Sequence, residues 1–374
     1  LYGFRPIVTT AGLAVNLLDR YVVRQFVTTF LFALLALTMI FVIVDLIDGL
    51  EQFLDNKATT EVVVRYYLAF IPEILELITP IALMLSGLFS IGRLSNLNEI
   101  TAMKSGGIST TRILVPVLIV SFLVSLGQLY FNGWVVPKAA VEKRDLERRY
   151  LGTSQGVSIL SDLAFRESPT MNIGIERYDA DARIASGISV EEFGSVTSPR
   201  IRWRLDVDRM SWDSARSRWV GIDAVRRTFS ADTIEIVKLD SADVPLSIRH
   251  EQIMRLQQST DEMTFPELAE YLDMLRKGGK QTRVAEIDLA GQWAFPFVNI
   301  IVVMITVPFA SVRRRGGMAA NITAALVIAV SYIAFTKISQ AIGANSDFSP
   351  VIVAWSANVV FSVVSIGIFL RYNS

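Results

Sequence analysis

The sequence predicts a mixed membrane protein, membrane α plus β, in which six transmembrane helices (3+3) flank an inserted β domain. Three observations predict it. The chain is 52% hydrophobic, and the apolar excess gathers into six runs long enough to cross a hydrocarbon core of about 30 Å as helices. These runs lie near 22–48, 66–92, 110–135, 287–311, 318–342 and 350–370. Between the third and fourth lies one long gap, Val136 to Arg283, where apolar residues alternate with polar ones.

Charge and residue types exclude several functions. With 36 basic and 36 acidic residues the balance points to no nucleic-acid partner. There is no cysteine and only one histidine, His250, which excludes a Cys/His metal site, a thiol nucleophile and a disulfide framework. His250 itself, in "SIRHEQ", is read as a surface or packing residue. "GGK" at 278–280 follows a helical pattern and has Met274 where a phosphate-binding loop needs its first glycine, so it offers no route to ATP. Residues 1–16 are read as a lead-in or tag and set apart from the fold.

The first three spans, within 17–135, come with a polarity bias. With the N-terminus inside, the inner connections carry Arg20, Arg24, Arg93, Lys104, Arg112, the run Arg313-Arg314-Arg315 and Arg371. The short outer loops carry only Lys57 and Arg65 among several acidic residues, so both termini are expected in the cytoplasm and the insertion outside. Between the second and third spans, "RLSNLNEITAMKSGGIS" repeats Leu94, Leu97, Ile100 and Met103 every three residues and stops at Gly106 and Gly107. That spacing predicts an amphipathic cytoplasmic helix over about 93–106. It is either a solvated connector or a lever that docks on an ATPase through Leu97, Ile100 and Met103, with Glu99 for a charged contact. A chain with many spans and no ATP site of its own favours the lever.

The insertion, 136–283, opens with Lys138, Lys143, Arg144, Arg148 and Arg149, outside the third span. These are either solvated or face anionic lipid headgroups. Lys337, within the fifth span, supports the second view unless it snorkels to the interface. Glu73 and Glu76 share a face of the second span and either pair with Lys337 or a partner subunit, or sit hydrated near the interface. "PRIRWRLDVDRMSWD" sets Ile201, Trp203, Leu205 and Val207 against Arg202, Arg204, Asp206 and Asp208, the period of a strand with one buried face. "NIGIERYD", "ISVEEFG", "RWVGIDAVRRTF" and "TIEIVKLDS" behave alike, which suits a sandwich, jelly roll or partly open barrel. "TFPELAEYLDMLRKGG" then reads as a helix: Thr264 caps it, Glu267 answers three residues later, and Gly278 ends it. The remaining three spans occupy 284–374.

From about Leu17 to the end, these features together resemble the YjgP/YjgQ permeases, the LptF/LptG membrane subunits of the lipopolysaccharide export ABC transporter. The residues that carry the likeness are "LLDRYVVRQF", "NEITAMKSGGIS", "WVVPKAAVEKRDLE", "PELAEYLDMLRKGG" and "RRRGG", and the "LLDRY" start leans toward the LptG side. The resemblance implies a periplasmic β-jellyroll-like domain, a bacterial inner-membrane location, and pairing with a second six-span permease as an LptF/LptG heterodimer around a cavity lined by first and fifth spans. It implies that lipopolysaccharide passes from the outer leaflet of the inner membrane to periplasmic bridge proteins (LptC/LptA-like). It also implies a dimeric ABC ATPase (LptB-like) docked at the 93–109 segment, with Glu99 as the acidic coupling residue. No cofactor is expected in this chain; ATP and Mg belong to the ATPase, and the chain is expected to be no enzyme. Asp45 and Asp48 stand where LptG-side relatives carry lysines, which moves the expected phosphate contacts to Lys138, Lys143, Arg144 and Lys337. The competing classes are a mechanotransmission protein that moves no lipid through itself and a lipid-modifying membrane enzyme.

Overall fold

The computed structural model describes residues 17–150, 159–179, 182–195, 200–213, 216, 218–230, 233–247, 253, 259–277, 281–311 and 317–373. The lead-in, His250, Gly278 and the Arg313-Arg314-Arg315 run lie outside the described residues.

Six apolar helices of membrane-spanning length are present, three on each side of a six-stranded antiparallel sheet, as the sequence predicts. Helix α1 covers Leu17–Asp55 and α2 Thr60–Asn96. A short α3, Glu99–Ser105, precedes α4, Thr110–Tyr130, which passes through a π-helical turn, Phe131–Val135, into α5, Val136–Tyr150. After the sheet come α6, Phe265–Lys277, and α7, Arg283–Ala294. A 3₁₀ turn, Phe295–Phe297, then leads into α8, Val298–Ser311, followed by α9, Gly317–Ala344, and α10, Pro350–Asn373. At 1.5 Å per residue the 39 residues of α1 reach about 58 Å, far beyond a bilayer core, so its polar end continues the helix past the apolar run.

The chain divides into two compact units. The first contains residues 17–45, 74–131 and 292–373 of the described chain. Its core joins Val22 and Phe26 of α1, Leu83, Met84 and Ile91 of α2, Ile113 and Val117 of α4, and Val302, Val303 and Val307 of α8. Gly87 lets α2 approach α8 closely: a Cβ there would lie 3.0 Å from the Thr306 methyl. Pro80 inside α2 is tolerated because the carbonyl it frees, that of Glu76, accepts from the Gln128 side chain of α4 at 2.9 Å.

The second unit contains 46–73 and 132–291. Its strands are β1 Ile159–Ser168, β2 Met171–Asp179, β3 Ile184–Phe193, β4 Ile201–Asp213, β5 Arg218–Phe229 and β6 Ile234–Val244, paired in sequence order as one antiparallel meander. Five of the six are the segments whose alternation predicts them; in β1 the apolar residues fall as the pairs Ile159-Leu160 and Ala164-Phe165 with Leu163, which does not alternate. One face buries Ile173, Ile175, Tyr178, Ile188, Val190, Leu205, Val207 and Trp219. Thr264 and Glu267 form the expected capping box of α6, with the Glu267 carboxylate accepting from the Thr264 amide at 3.0 Å and hydroxyl at 2.7 Å. Leu268, Leu272 and Leu275 of that helix are buried on one face.

Candidate functional site

Two groups of predicted residues take defined positions, one in each unit. In the first unit, the segment after α2 is shorter as a helix than its period suggests. Residues through Asn96 continue α2, Asn98 turns the chain with a left-handed φ of 59°, and only Glu99–Ser105 form α3. Ile100 is 2% exposed within the helix core, and Met103 packs against that core. Their apolar side chains seat α3 on the membrane helices. Leu97, 58% exposed, and Glu99, partly exposed at the first turn, remain at the surface. The Glu99 carboxylate accepts from the Tyr21 hydroxyl, with Arg93 nearby. Asp19, two residues before Tyr21, pairs with Arg112 of α4 at 3.1 Å. The start of α1 therefore holds both α3 and the entry to α4.

In the second unit, the basic residues of α5 divide. The Lys143 ammonium donates to Glu73 at 2.8 Å, lies 3.8 Å from Glu147, and sits 3.9 Å above the Phe70 ring. Arg144 reaches Glu262 at 2.7 Å, and Arg65 donates to Glu142 at 2.6 Å. Glu262 is 5% exposed; burial pushes its carboxyl up, and Arg144 pulls it back down. Lys143 and Arg144 are thus engaged by the chain's own carboxylates, and Glu73 pairs with Lys143 where Lys337 was one expected partner. Lys138 is exposed, as is Lys337 of α9 in the first unit. Glu142, Glu147 and Glu262 were missed from sequence because their cationic partners come from elements far away in the chain, or from a helix whose continuation past the third span was not expected.

Sequence reasoning also missed the polar contacts that join the spans of the first unit. Asn299 of α8 is fully buried and donates to the Gln128 side-chain carbonyl at 2.6 Å, and Gln128 donates to the backbone carbonyl of Glu76 at 2.9 Å. Tyr332 of α9 donates to Asn358 of α10 at 2.7 Å, and Asn358 donates to the Ala294 carbonyl at 2.7 Å. Isolated Asn and Gln within apolar runs were the available signal. Among the described side chains, α1 and α9 leave many apolar residues uncovered: Leu31, Phe32, Leu35 and Met39 on the one, Val327, Val330, Ile338 and Ile342 on the other.

Six apolar spans, a β domain inserted after the third, and a short seated helix between the second and third define a multi-pass membrane protein of the permease class. Over residues 20–371 the chain matches the model of the family described as lipopolysaccharide export system permease LptF/LptG, and it belongs to that family. The family is one of transporter membrane subunits, not of catalysts. The chain is 19% identical over 361 residues to the lipopolysaccharide export system permease protein LptF of Escherichia coli strain K12, covering 93% of each, and matches the Shigella flexneri LptF equally. It is 22% identical over 178 residues to the LptG of the same Escherichia coli strain, covering 48% of this chain and 49% of that one.

Proposed function

We propose that this chain is one permease subunit of an ATP-driven lipopolysaccharide exporter, with both termini cytoplasmic and the sheet in the periplasm. It pairs with a second six-span permease as in an LptF/LptG heterodimer, takes lipopolysaccharide from the outer leaflet of the inner membrane, and passes it to periplasmic bridge proteins. The observation that carries this reading is the uneven cover of the spans: α1 and α9, the first and fifth, are the two least buried, and the family resemblance expects those two to line a cavity between permeases. A separate dimeric ABC ATPase holds ATP and Mg and engages the surface at Leu97 and Glu99, while Ile100 and Met103 transmit its movement into the helix core. Lys138 and Lys337 are the candidates for lipid phosphate, since Lys143 and Arg144 have internal carboxylate partners.

The test is purification of the tagged chain in mild detergent from its native membrane, with ATP hydrolysis and lipid crosslinking measured on the eluate. Co-elution of a second six-span protein and an ABC ATPase is expected, with lipopolysaccharide crosslinks to photoreactive groups at Leu35 and Lys337. Crosslinks absent from both helices, with the ATPase present, would replace this reading with mechanotransmission.

A further inference from the structure

The sheet carries a transverse crease. On either side of one line the antiparallel register is the same, yet the pairing lapses at that line between every two neighbouring strands. The last partners before and after it are Ser161↔Arg177 and Leu163↔Ile175 on β1/β2, and Arg177↔Ser186 and Ile175↔Ile188 on β2/β3. They are Ser186↔Arg209 and Ile188↔Val207 on β3/β4, Arg209↔Ile222 and Val207↔Ala224 on β4/β5, and Ile222↔Ser241 and Ala224↔Leu239 on β5/β6. Asp162, Glu176, Gly187, Asp208, Asp223 and Asp240, one per strand, are left out of the ladder in a row. Two of them are left-handed, Gly187 at φ 66° and Asp223 at φ 57°.

Burial shows the same line. A regular strand returns to its buried face every second residue. Across the crease the core-facing residues are three apart: Ile175 and Tyr178, Ala185 and Ile188, Val207 and Met210, Gly221 and Ala224, Leu239 and Ala242. Five strands therefore slip phase together, each with one extra residue on the outer face, and the register survives because all of them slip at the same place.

Three features weaken the line as well as bend it. Ladder hydrogen bonds are interrupted along it. Asp208, Asp223 and Asp240 stand on adjacent strands, where like charges oppose pairing, and the exposed Arg209 beside Asp208 at 3.3 Å offsets the charge at one end of that row. The outer face at the crease is also hollow: a cavity of about 590 Å³ there is lined by the crease residues Glu176, Gly187, Asp208 and Asp223 and by the small residues Ala164, Gly174 and Ser189 beside them. A left-handed Asp223 adds backbone strain of the kind found where a structure moves.

We propose that this crease is the bending line of the β domain, about which the two halves of the sheet hinge toward the outer cavity and so change the width of the apolar core face behind it. The acidic row keeps the line loose by weakening the strand pairing that would otherwise stiffen it. The proposal leans on the permease reading only for what uses the motion.

The chain has no cysteine, so introduced pairs report without background. Arg202→Cys with Ser211→Cys spans the crease along β4, about 30 Å apart, and Asn172→Cys with Ile236→Cys spans four strand spacings on one side of it, about 19 Å. Spin-label distances are measured on the full chain in lipid nanodiscs. The cross-crease distribution is expected to be at least about twice as broad as the same-side one, and Asp208→Asn with Asp223→Asn to bring it down to the same-side width. Equal widths in the unmodified background, or a broad cross-crease width that the asparagine pair leaves unchanged, overturn the proposal. Neither result depends on ATP hydrolysis or export, so failure here is separable from failure of the permease reading.

Discussion

The spans built on α2 and on α7–α8 have 67% of their apolar windows buried, whereas α1 and α9 have 11%, although all four are apolar enough to cross a membrane. Hydropathy alone places every one of them in a bilayer, and lipid satisfies an exposed Leu as well as a neighbouring helix does. The difference teaches that the first unit is a packed centre with two lightly attached flanks. The centre is held by close approach at Gly87 and by the buried Gln128–Asn299 contact; α1 is held near its start through Phe26 and the Asp19–Arg112 pair, and near its end through Phe53, which is buried and packs edge-on against Tyr66 of α2. A span held near both ends and little covered between them can shift at its middle. That suits a helix bordering a cavity that opens and closes, since population shifts draw on contacts of low stability.

The largest expected effect comes from emptying the centre. Leu83 is fully buried, so Leu83→Ala should cost about 2–5 kcal/mol through lost contacts and a residual cavity, read as a lowered unfolding midpoint in detergent. Leu35→Ala on α1, at a position 61% exposed, should stay within about 0.5 kcal/mol while still reducing lipid crosslinking. Equal destabilisation by the two changes would erase the distinction between centre and flank.

How much of this was legible follows from what each signal measures. Hydropathy gave the spans but not their full length, because α5 continues α4 as a charged helix whose residues "KAAVEKRDLERRY" carry no apolar run. Its lysines and arginines looked available for lipid phosphate, whereas Lys143 and Arg144 meet carboxylates of α2 and of the turn before α6, which no local spacing reveals. The recurrence of Leu94, Leu97, Ile100 and Met103 suggested one helix, but spacing cannot see the left-handed Asn98 that breaks it in two and leaves Leu97 outside. Period-two alternation found β4 as far as Val207; beyond it the core residue is Met210, since the crease shifts the phase that the pattern assumes.

A second prediction separates basic residues held by the chain from those left open. Arg144→Met strands the buried Glu262 carboxylate and should destabilise the second unit by about 3 kcal/mol at neutral pH. Lys337→Gln, at an exposed position, should leave stability unchanged and lower lipid crosslinking instead. The pH dependence has a definite sign. Burial raises Glu262, so the folded state holds its proton more tightly than the unfolded chain does. Its contribution is fully present below the ordinary value of 4.5 and is lost as pH rises through the folded value. Arg144→Met should extend that loss to higher pH, and Glu262→Gln should remove it. Unfolding midpoints measured from about pH 4 to about pH 8, which covers the ordinary carboxylate range and the region above it, decide between them.

Next in size is the contact at Glu99. A charge-assisted hydrogen bond contributes about 1.5–3 kcal/mol, so Glu99→Lys should lower export-coupled ATP turnover about tenfold or more while lowering the unfolding midpoint far less than Leu83→Ala does, since the fold loses only the Tyr21 contact. Tyr21→Phe should have a smaller effect in the same direction, because it frees the carboxylate from α1 while leaving its charge. A fall in midpoint equal to that of Leu83→Ala would make Glu99 part of the packed centre and not of a surface that a partner engages.

The smallest effect tests the pin between α4 and α8. Interhelical hydrogen bonds in membranes contribute about 0.6–2 kcal/mol, because the separated helices find other partners in the bilayer. Asn299→Leu should therefore destabilise by about 1 kcal/mol and leave the Gln128 carbonyl without its donor at 2.6 Å. Gln128→Leu combined with Asn299→Leu should cost less than the two single changes added together, since the second substitution removes the group that the first one strands. Strict additivity in that cycle would mean that the two amides hold their helices independently. The packed centre would then rest on close contact of the kind seen at Gly87 and Thr306, and the contrast with the flanks would be one of shape alone.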